Sequence, residues 1–279
     1  MSRKYSITKA QADRLYRTMK DLHDVLTAND ISYWVTGGSL IGAIRHRGII
    51  PWDDDGDICI MKKDVGKLRK LVPTFENMGY NIEEGDDEDD DDVDPELLLC
   101  KSKRNSCTWF LEPTGRNSLG VDIFVMERVG PIITYADPYW RTASNGGETC
   151  MFLQRYTFPL VPVPFGNFWV MTPFNAIEHL NQCYGTDWNS MSQRLFDHRS
   201  GKWINSKKKR MLVEDYETIR PPKSTCELDP PKMLKCMRAP RASKKIEDLN
   251  TKEVKKIAKL YNLKGKTVKS LKSKIMKLV

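Results

Sequence analysis

The stretch GGSLIGAIRHRGIIPWDDDGDI, residues 37–58, decides the fold. It follows ISYWV at 31–35, whose β-branched and aromatic residues predict a strand entering a tight glycine turn. LIGAI at 40–44 then predicts a short helix, and the alternating residues 57–61 predict a second strand. The expected order is strand, turn, helix and strand, with an acidic cluster where the second strand begins.

The carboxylates of this stretch predict a metal site. Asp55 and Asp57 are two residues apart at the edge of a strand, so both side chains leave the same face and can share one divalent cation. Asp122, the carboxylate within the apolar strand GVDIFVM at 120–126, can complete the site. Three carboxylates without a cation would raise one another's pKa values, so we expect Mg²⁺ or Mn²⁺ there.

The start of the short helix carries groups suited to phosphate. Gly37 and Gly38 permit close backbone approach, and the Ser39 hydroxyl with the amides of a helix start can receive phosphate oxygens. The basic triplet 45–47 adds positive charge, and we assign Arg45 to phosphate binding. These residues predict that the substrate carries a phosphate group.

Other residues of the stretch have supporting roles. Trp52 and Ile58 bracket the acidic cluster with apolar anchors. His46 leaves two alternatives open, a basic neighbour of the phosphate or a residue that faces solvent. A lone Gly-Gly-Ser is most often an ordinary turn and an aspartate run is usually a solvated loop, but the joint pattern favours a catalytic metal site.

The remaining patterns predict an α/β chain. Apolar residues at helical spacing indicate helices over 8–29 and 64–78. The Phe-, Val- and Pro-rich segment 150–170 indicates edge strands and turns. Thr172-Pro173 predicts the start of a helix that ends at Gly185.

Composition bounds the class of protein. No segment approaches the roughly 18 consecutive apolar residues of a membrane-spanning helix, and the N-terminus lacks the apolar run of a secretory signal, so a cytoplasmic location is expected. The seven cysteines have irregular spacings without a CxxC pair, which argues against disulfides and structural zinc. We expect most of them to be reduced and partly buried.

Charge is distributed unevenly along the chain. Residues 202–279 hold 23 Lys and Arg against 8 Asp and Glu, whereas residues 1–201 hold 22 against 29. The basic end is expected either to attract polyanions or to be a solvated tail. Ten of the twelve residues 83–94 are acidic, which predicts a mobile surface loop, with a cation cluster as the minor alternative.

Residues 34–61 resemble the LicD family, which includes bacterial phosphocholine transferases and fukutin-related ribitol-phosphate transferases. The resemblance rests on GGSLIGAIR followed by PWDDDGD, with GVDIF at 120–124 and YGTDW at 184–188 as further similar motifs. Together these motifs span roughly residues 8–195. They imply a DNA polymerase β-like nucleotidyltransferase fold, with a mixed sheet and flanking helices.

The resemblance also implies chemistry. The donor would be a nucleotide-activated alcohol such as a CDP-alcohol, and the acceptor commonly a glycan or glycoconjugate. Asp55 and Asp57 would be the metal ligands and Asp122 the third carboxylate or base, while Asp53 and Asp54 would support them. Gly38 and Ser39 would contact the donor phosphate.

The C-terminal segment 244–279 resembles a SAP or Rho-N helix–turn–helix unit. Thr251 is expected to cap the first of two amphipathic helices, with a turn at Leu263 and Gly265. Twelve lysines against three acidic residues suit contact with the phosphate backbone of DNA or RNA. The open alternative is a basic docking or solubility module.

We therefore predict a catalytic domain at 1–198, an irregular linker at 199–243 and a basic helical module at 244–279. The favoured function is a LicD-type phosphotransferase. The alternatives are a nucleotidyltransferase recruited to nucleic acid by the basic module, and a catalytically inactive scaffold, against which the intact Asp55, Asp57 and Asp122 argue.

Overall fold

The protein is described here from a computed structural model. The described residues are 7–84, 108–114, 119–137, 140–141, 151–192, 196–197, 202–203, 207–211, 246–261 and 263–278. Most of the predicted loop 83–94 and most of the predicted linker 199–243 lie outside these residues, and so do five of the seven cysteines. The other two, Cys59 and Cys183, are buried free thiols, as expected.

The described helices follow the predicted order, with one addition. Their bounds are α1 Lys9–Ala28, α2 Gly37–Ile41, α3 Val65–Asn77, α4 Gln154–Thr157, α5 Ala176–Tyr184, α6 Thr251–Leu260 and α7 Val268–Leu278. A π-helical turn at Gly42–His46 continues α2, and short 3₁₀ turns lie at Lys62–Asp64 and Ile246–Asp248. The one-turn helix α4 was not predicted, because the prolines around it favoured strands and turns throughout the segment.

Strands β1 to β7 form a seven-stranded sheet. Their bounds are β1 Tyr33–Val35, β2 Gly56–Met61, β3 Tyr80–Glu84, β4 Thr108–Pro113, β5 Val121–Val129, β6 Ile132–Tyr135 and β7 Met151–Leu153. Five strands run in the order β1-β2-β5-β4-β3, and β6 joins β5 to β7. Since β2 and β5 are parallel and the other pairs are antiparallel, the sheet is mixed, as predicted.

Smaller strand pairs flank this sheet. They are β8 Val161–Phe165 with β9 Phe168–Thr172, β10 Met191–Ser192 with β13 Lys209–Arg210, and β11 Phe196–Asp197 with β12 Lys202–Trp203. The first pair is a hairpin that turns through Gly166, whose φ of 62° suits a residue without a side chain. This hairpin confirms the strands predicted from the Pro-rich segment.

Helix α1 illustrates how local sequence sets an element. Thr8 accepts a hydrogen bond from the backbone N–H of Gln11, and the Gln11 side chain accepts one from the backbone N–H of Thr8, which forms a capping box. The apolar stripe is buried, with Leu15, Leu22 and Leu26 at most 1% exposed. The helix predicted over 8–29 is confirmed.

Three predicted boundaries are wrong. The helix after β1 begins at Gly37 instead of residue 40, because the Thr36 carbonyl accepts the Leu40 N–H at 2.8 Å and so starts the helical bonding early. Helix α5 begins at Ala176 because the Asn175 side chain caps it, so Pro173 precedes the helix. Glu83 and Glu84 belong to β3 instead of a loop, and Arg69 forms an ion pair with Glu84.

The two C-terminal helices pack against the sheet. Buried residues of β5, β6 and β7 share one apolar cluster with the turn at 246–249 and both helices; the main members are Val129, Ile132, Met151, Leu153, Leu249, Val254, Ile257 and Ile275. The hydroxyl groups of Thr134 and Tyr261 hydrogen-bond within this contact. Asn250, not Thr251, caps α6, because its side chain accepts the Glu253 N–H at 2.9 Å.

Among the described helices, none combines the length and the apolar character needed to cross a bilayer.

Candidate active site

The parallel pairing of β2 and β5 brings the predicted carboxylates together. Asp57 and Asp122 are direct neighbours in the β2–β5 register, and each is the second residue of its strand. Asp55 lies just before β2, and one carboxylate oxygen from each of the three residues lies within 4.8 Å of the others. We refer to Asp55, Asp57 and Asp122 as the carboxylate cluster.

Ser39 holds Asp57 in place through two hydrogen bonds. The Asp57 backbone N–H donates to Ser39 Oγ at 2.9 Å, and the Ser39 backbone N–H donates to Asp57 Oδ2 at 3.3 Å. The start of α2 is thereby fixed against the start of β2. The structure thus gives Ser39 a part in positioning Asp57, and its contact with a donor phosphate stays a prediction.

Two glycines let the carboxylates approach the start of α2. A Cβ atom on Gly37 would lie 2.7 Å from Asp57 Oδ2, and the Gly37 φ of 52° disfavours other residues. A Cβ atom on Gly38 would lie 2.3 Å from Asp53 Oδ2. Close approach was predicted for both glycines, but the groups that approach them here are carboxylates of the protein.

Asp53 is a buried carboxyl group next to the carboxylate cluster. Burial raises the pKa of Asp53 well above its usual value, and the charges of Asp55, Asp57 and Asp54 raise this pKa further, while Arg45 lowers it. Carboxylate oxygens of Asp53, Asp54 and Asp55 also lie within 4.8 Å of one another. Asp55 therefore belongs to both groups and joins them.

Arg45 binds two carbonyl groups of the protein backbone. Its Nη1 donates to the carbonyl oxygens of Trp188 at 2.6 Å and Met191 at 3.3 Å. The π-helical turn is thereby tied to the YGTDW motif, whose Trp188 donates through Nε1 to Asn181 Oδ1 at 3.0 Å. The link from Arg45 to residues 188–191 was not predicted, although the similar family motif at 184–188 marked this segment.

His46 is buried at 3% exposure, so the solvent-facing alternative is wrong. Its ring packs edge-on against Trp52, with 5.8 Å between ring centroids, and its Nδ1 accepts a hydrogen bond from Arg45 Nε at 3.3 Å. Trp52 packs against the main core, as expected of an apolar anchor. Both residues therefore support the segment that carries the aspartates.

The donor set fits a hard divalent cation. Mg²⁺ and Mn²⁺ prefer oxygen ligands, and the carboxylate cluster supplies three carboxylates from two neighbouring strand ends. A cluster of this composition could hold such a cation, and it lies beside the glycine-rich start of α2.

Sequence comparison identifies the family. Residues 30–175, just over half of the chain, match the family described as LicD/FKTN/FKRP, nucleotidyltransferase domain. The chain therefore belongs to this family, and the resemblance seen in residues 34–61 is confirmed. The match contains β2, β5 and the whole carboxylate cluster, but it does not reach the C-terminal helices.

The chain matches only part of each similar protein. An uncharacterised protein of Rickettsia typhi is 32% identical over 221 residues, 78% of this chain and 61% of that protein. Human ribitol 5-phosphate transferase FKRP is 29% identical over 171 residues, 61% of this chain and 31% of FKRP. Lipopolysaccharide cholinephosphotransferase LicD of Haemophilus influenzae is 38% identical over 65 residues, 23% of this chain and 24% of LicD. The chain thus spans about three fifths of the rickettsial relative and under a third of FKRP.

Proposed function

We propose that this protein is a metal-dependent transferase that moves a phosphate-linked alcohol from a nucleotide-activated donor to a hydroxyl group of a glycan or glycoconjugate. The carboxylate cluster at the neighbouring ends of β2 and β5 carries this proposal. Family membership supports it, since FKRP is named for ribitol 5-phosphate transfer and LicD for cholinephosphate transfer. Both names describe the transfer of an alcohol joined to phosphate.

The proposed reaction is a displacement at phosphorus. The acceptor oxygen forms a bond to the phosphorus of the transferred group, the bond from that phosphorus to the nucleotide breaks, and a nucleoside monophosphate leaves. The acceptor hydroxyl loses its proton, and Asp122 is the candidate base or third ligand. No covalent enzyme intermediate is needed.

Each residue of the site has a proposed task in this reaction. Asp55, Asp57 and Asp122 would hold Mg²⁺ or Mn²⁺, which when bound neutralises phosphate charge and lowers the pKa of the attacking hydroxyl. Ser39 keeps Asp57 oriented, as its two hydrogen bonds indicate. Gly37, Gly38 and Ser39 would lie beside the donor phosphates.

The first prediction tests this assignment with Asp57→Asn. We expect wild type to bind Mn²⁺ by calorimetry and to release CMP from CDP-ribitol or CDP-choline when a hydroxyl acceptor is present. Asp57→Asn should reduce turnover at least 100-fold, because one ligand loses its charge while its volume is kept. CMP and the modified acceptor are both measured by mass spectrometry.

Asp24→Asn is the matched control, since Asp24 is exposed on α1 and pairs with Lys20. It should retain wild-type turnover. Equal turnover by Asp57→Asn and wild type would contradict the metal-site assignment. A wild-type protein that binds Mn²⁺ but cleaves no CDP-alcohol, including CDP-glycerol, would contradict the proposed donor class.

A second candidate function has one observation in its favour. Among the described side chains of the C-terminal helices and the turn between them, eight lysines are exposed, namely Lys252, Lys255, Lys256, Lys259, Lys264, Lys266, Lys269 and Lys274. Such a surface attracts polyanions, so nucleotide transfer on nucleic acid stays an alternative. Incorporation of nucleotides from nucleoside triphosphates into RNA or DNA would favour this alternative. The affinity for the nucleic acid should then fall steeply with salt and be lost when four of these lysines are changed to glutamate.

A further inference from the structure

A cavity lies at the opposite end of the strands that carry the carboxylate cluster. Its volume is about 590 Å³, within the range of small-molecule sites. Met61, at the end of β2, lines it, and Met61 is four residues beyond Asp57, or about 13 Å at the usual rise per residue. We call it the distal cavity, because it is separate from the site of phosphate chemistry.

The wall of the distal cavity is mainly apolar. Side chains from the sheet, from α1 and from the segment before β8 contribute, with Tyr33, Met126, Ile133, Phe158, Leu160 and Met171 as the main apolar members. Most of these side chains are otherwise packed into the core. A ligand that fills this space must therefore carry a sizeable apolar part.

One buried polar group lies against this apolar wall. Gln154 is 3% exposed and lines the cavity, and its Oε1 has no hydrogen-bond partner among the described residues. A buried amide oxygen without a donor is energetically costly, so such groups are rare. A ligand hydroxyl that donates to Gln154 would remove this cost.

Basic residues contribute to the lining of the cavity. Lys62, Lys63 and Arg128 line it and are exposed, and Arg128 uses Nε to donate to the Gly130 carbonyl at 2.8 Å. Among the described lining residues the one acidic group, Glu127, forms an ion pair with Arg141 at 2.6 Å. The other titratable lining group, His23, has a pKa lowered mainly by burial, and its Nδ1 lies 2.7 Å from the Tyr33 hydroxyl. The described lining residues therefore carry a net positive charge.

We propose that the distal cavity binds a single-chain lipid that carries an anionic head group and a free hydroxyl, as a lysophospholipid does. The chain fits the apolar wall, the hydroxyl donates to Gln154, and the head group lies near Lys62 and Lys63. This proposal does not depend on the transferase reaction, because the cavity and the carboxylate cluster share strands but no residues.

The test measures binding to the full chain without nucleotide. Oleoyl lysophosphatidic acid is titrated below its micelle concentration, and stoichiometry and affinity are read by native mass spectrometry and calorimetry. We expect saturable binding of one lipid per chain. Ser32→Trp, which places a large ring in the cavity from a partly exposed position, should weaken binding at least tenfold.

Charge variants test the position of the head group. Lys62→Glu with Lys63→Glu should weaken binding at least tenfold. The matched control, Lys70→Glu with Lys252→Glu, reverses two exposed lysines outside the cavity and should leave affinity within twofold. Oleic acid and lysophosphatidylcholine are the comparison lipids, and both should bind more weakly, because the first lacks the hydroxyl and the second lacks net negative charge.

The hydroxyl contact is tested by Gln154→Leu. Wild type should prefer oleoyl lysophosphatidic acid over oleyl phosphate, which has no hydroxyl, and Gln154→Leu should lose this preference. This comparison keeps the proposal testable even if Ser32→Trp does not fold. If wild type showed no saturable binding, the proposal would be overturned. Equal binding by wild type and all the cavity variants would also overturn it, and would indicate adsorption to the basic surface.

Discussion

At the scale of single residues, the candidate site depends on two glycines. Gly38 allows Asp53 to approach the start of α2, and Gly37 does the same for Asp57. The acidic groups can then face the helix start in a small volume, next to the Ser39 hydroxyl. Negative charge is thus concentrated by backbone geometry as well as by the aspartate run.

The second prediction concerns Gly38→Ala. The new methyl group would lie 2.3 Å from Asp53 Oδ2, so the Asp53 side chain must move away from the start of α2. We expect Mn²⁺ affinity, measured by calorimetry, to fall at least tenfold and CMP release to fall with it. The folded content by circular dichroism should be retained.

Gly66→Ala is the control for this change. Gly66 is exposed in α3, and a Cβ atom there would meet nothing within 4 Å. This variant should keep wild-type Mn²⁺ affinity and gain up to about 1 kcal/mol of stability from helix propensity. If both alanine variants bound Mn²⁺ as wild type does, the close approach at Gly38 would have no functional role.

At the scale of elements, helix α5 is fastened to β7 by a buried histidine. His179 stacks on Phe152 with ring centroids 4.0 Å apart, and its Nε2 lies 3.2 Å from Thr157 Oγ1 of α4. Burial lowers the pKa of His179 to about 3. The imidazole therefore remains neutral in the folded protein at pH values where an unfolded histidine is charged.

The third prediction follows from the sign of this shift. The unfolded chain binds a proton at His179 below about pH 6.5, whereas the folded protein does not until about pH 3, so stability falls as pH falls through this window. Between pH 7 and pH 5 this residue should lower the free energy of unfolding by about 2 kcal/mol. Urea unfolding at the two pH values measures the change.

His179→Gln supplies the comparison, because glutamine stays neutral throughout and can still hydrogen-bond Thr157. Its stability should change with pH by about 2 kcal/mol less than that of wild type over the same interval. An identical pH dependence in the two proteins would mean that His179 titrates normally in the folded state.

At the scale of the whole molecule, the C-terminal helices complete the core of one end of the sheet. Val254, Ile257 and Ile275 are fully buried against a cluster that includes Ile132 and Met151. Their apolar stripes face the sheet, and their lysines face solvent. The exposed lysines are therefore carried by helices that pack against the sheet.

The fourth prediction uses Ile257→Ala. Because Ile257 is 0% exposed, its truncation should cost about 2–5 kcal/mol. If the helices and the sheet unfold together, this loss should also appear in the hydrogen exchange of the Ile132 and Met151 amides. Lys255→Ala, an exposed change on the same helix, should alter stability by less than about 0.5 kcal/mol. Unchanged exchange in β6 and β7 would contradict joint unfolding.

The sequence by itself determined the local elements and the identity of the carboxylates. Helical and alternating periodicities, the glycine turn and the Asp-x-Asp spacing act within a few residues, so α1, β2 and β5 could be predicted without knowledge of the fold. The motif in residues 37–58 also predicted the family correctly. Boundaries were predicted less well at residues 37, 83 and 176, because caps and strand pairing decide them.

Only the tertiary structure decided which distant residues meet. Asp57 and Asp122 are 65 positions apart, and their contact exists because β2 and β5 pair in parallel and in one register. Other features also depend on contacts between segments that are remote in sequence. They are the hydrogen bonds from Arg45 to Trp188 and Met191, the burial of His46 and the packing of α6 and α7. Short-range patterns encode elements, but the packing of the core sets the position of each element and so brings the site together.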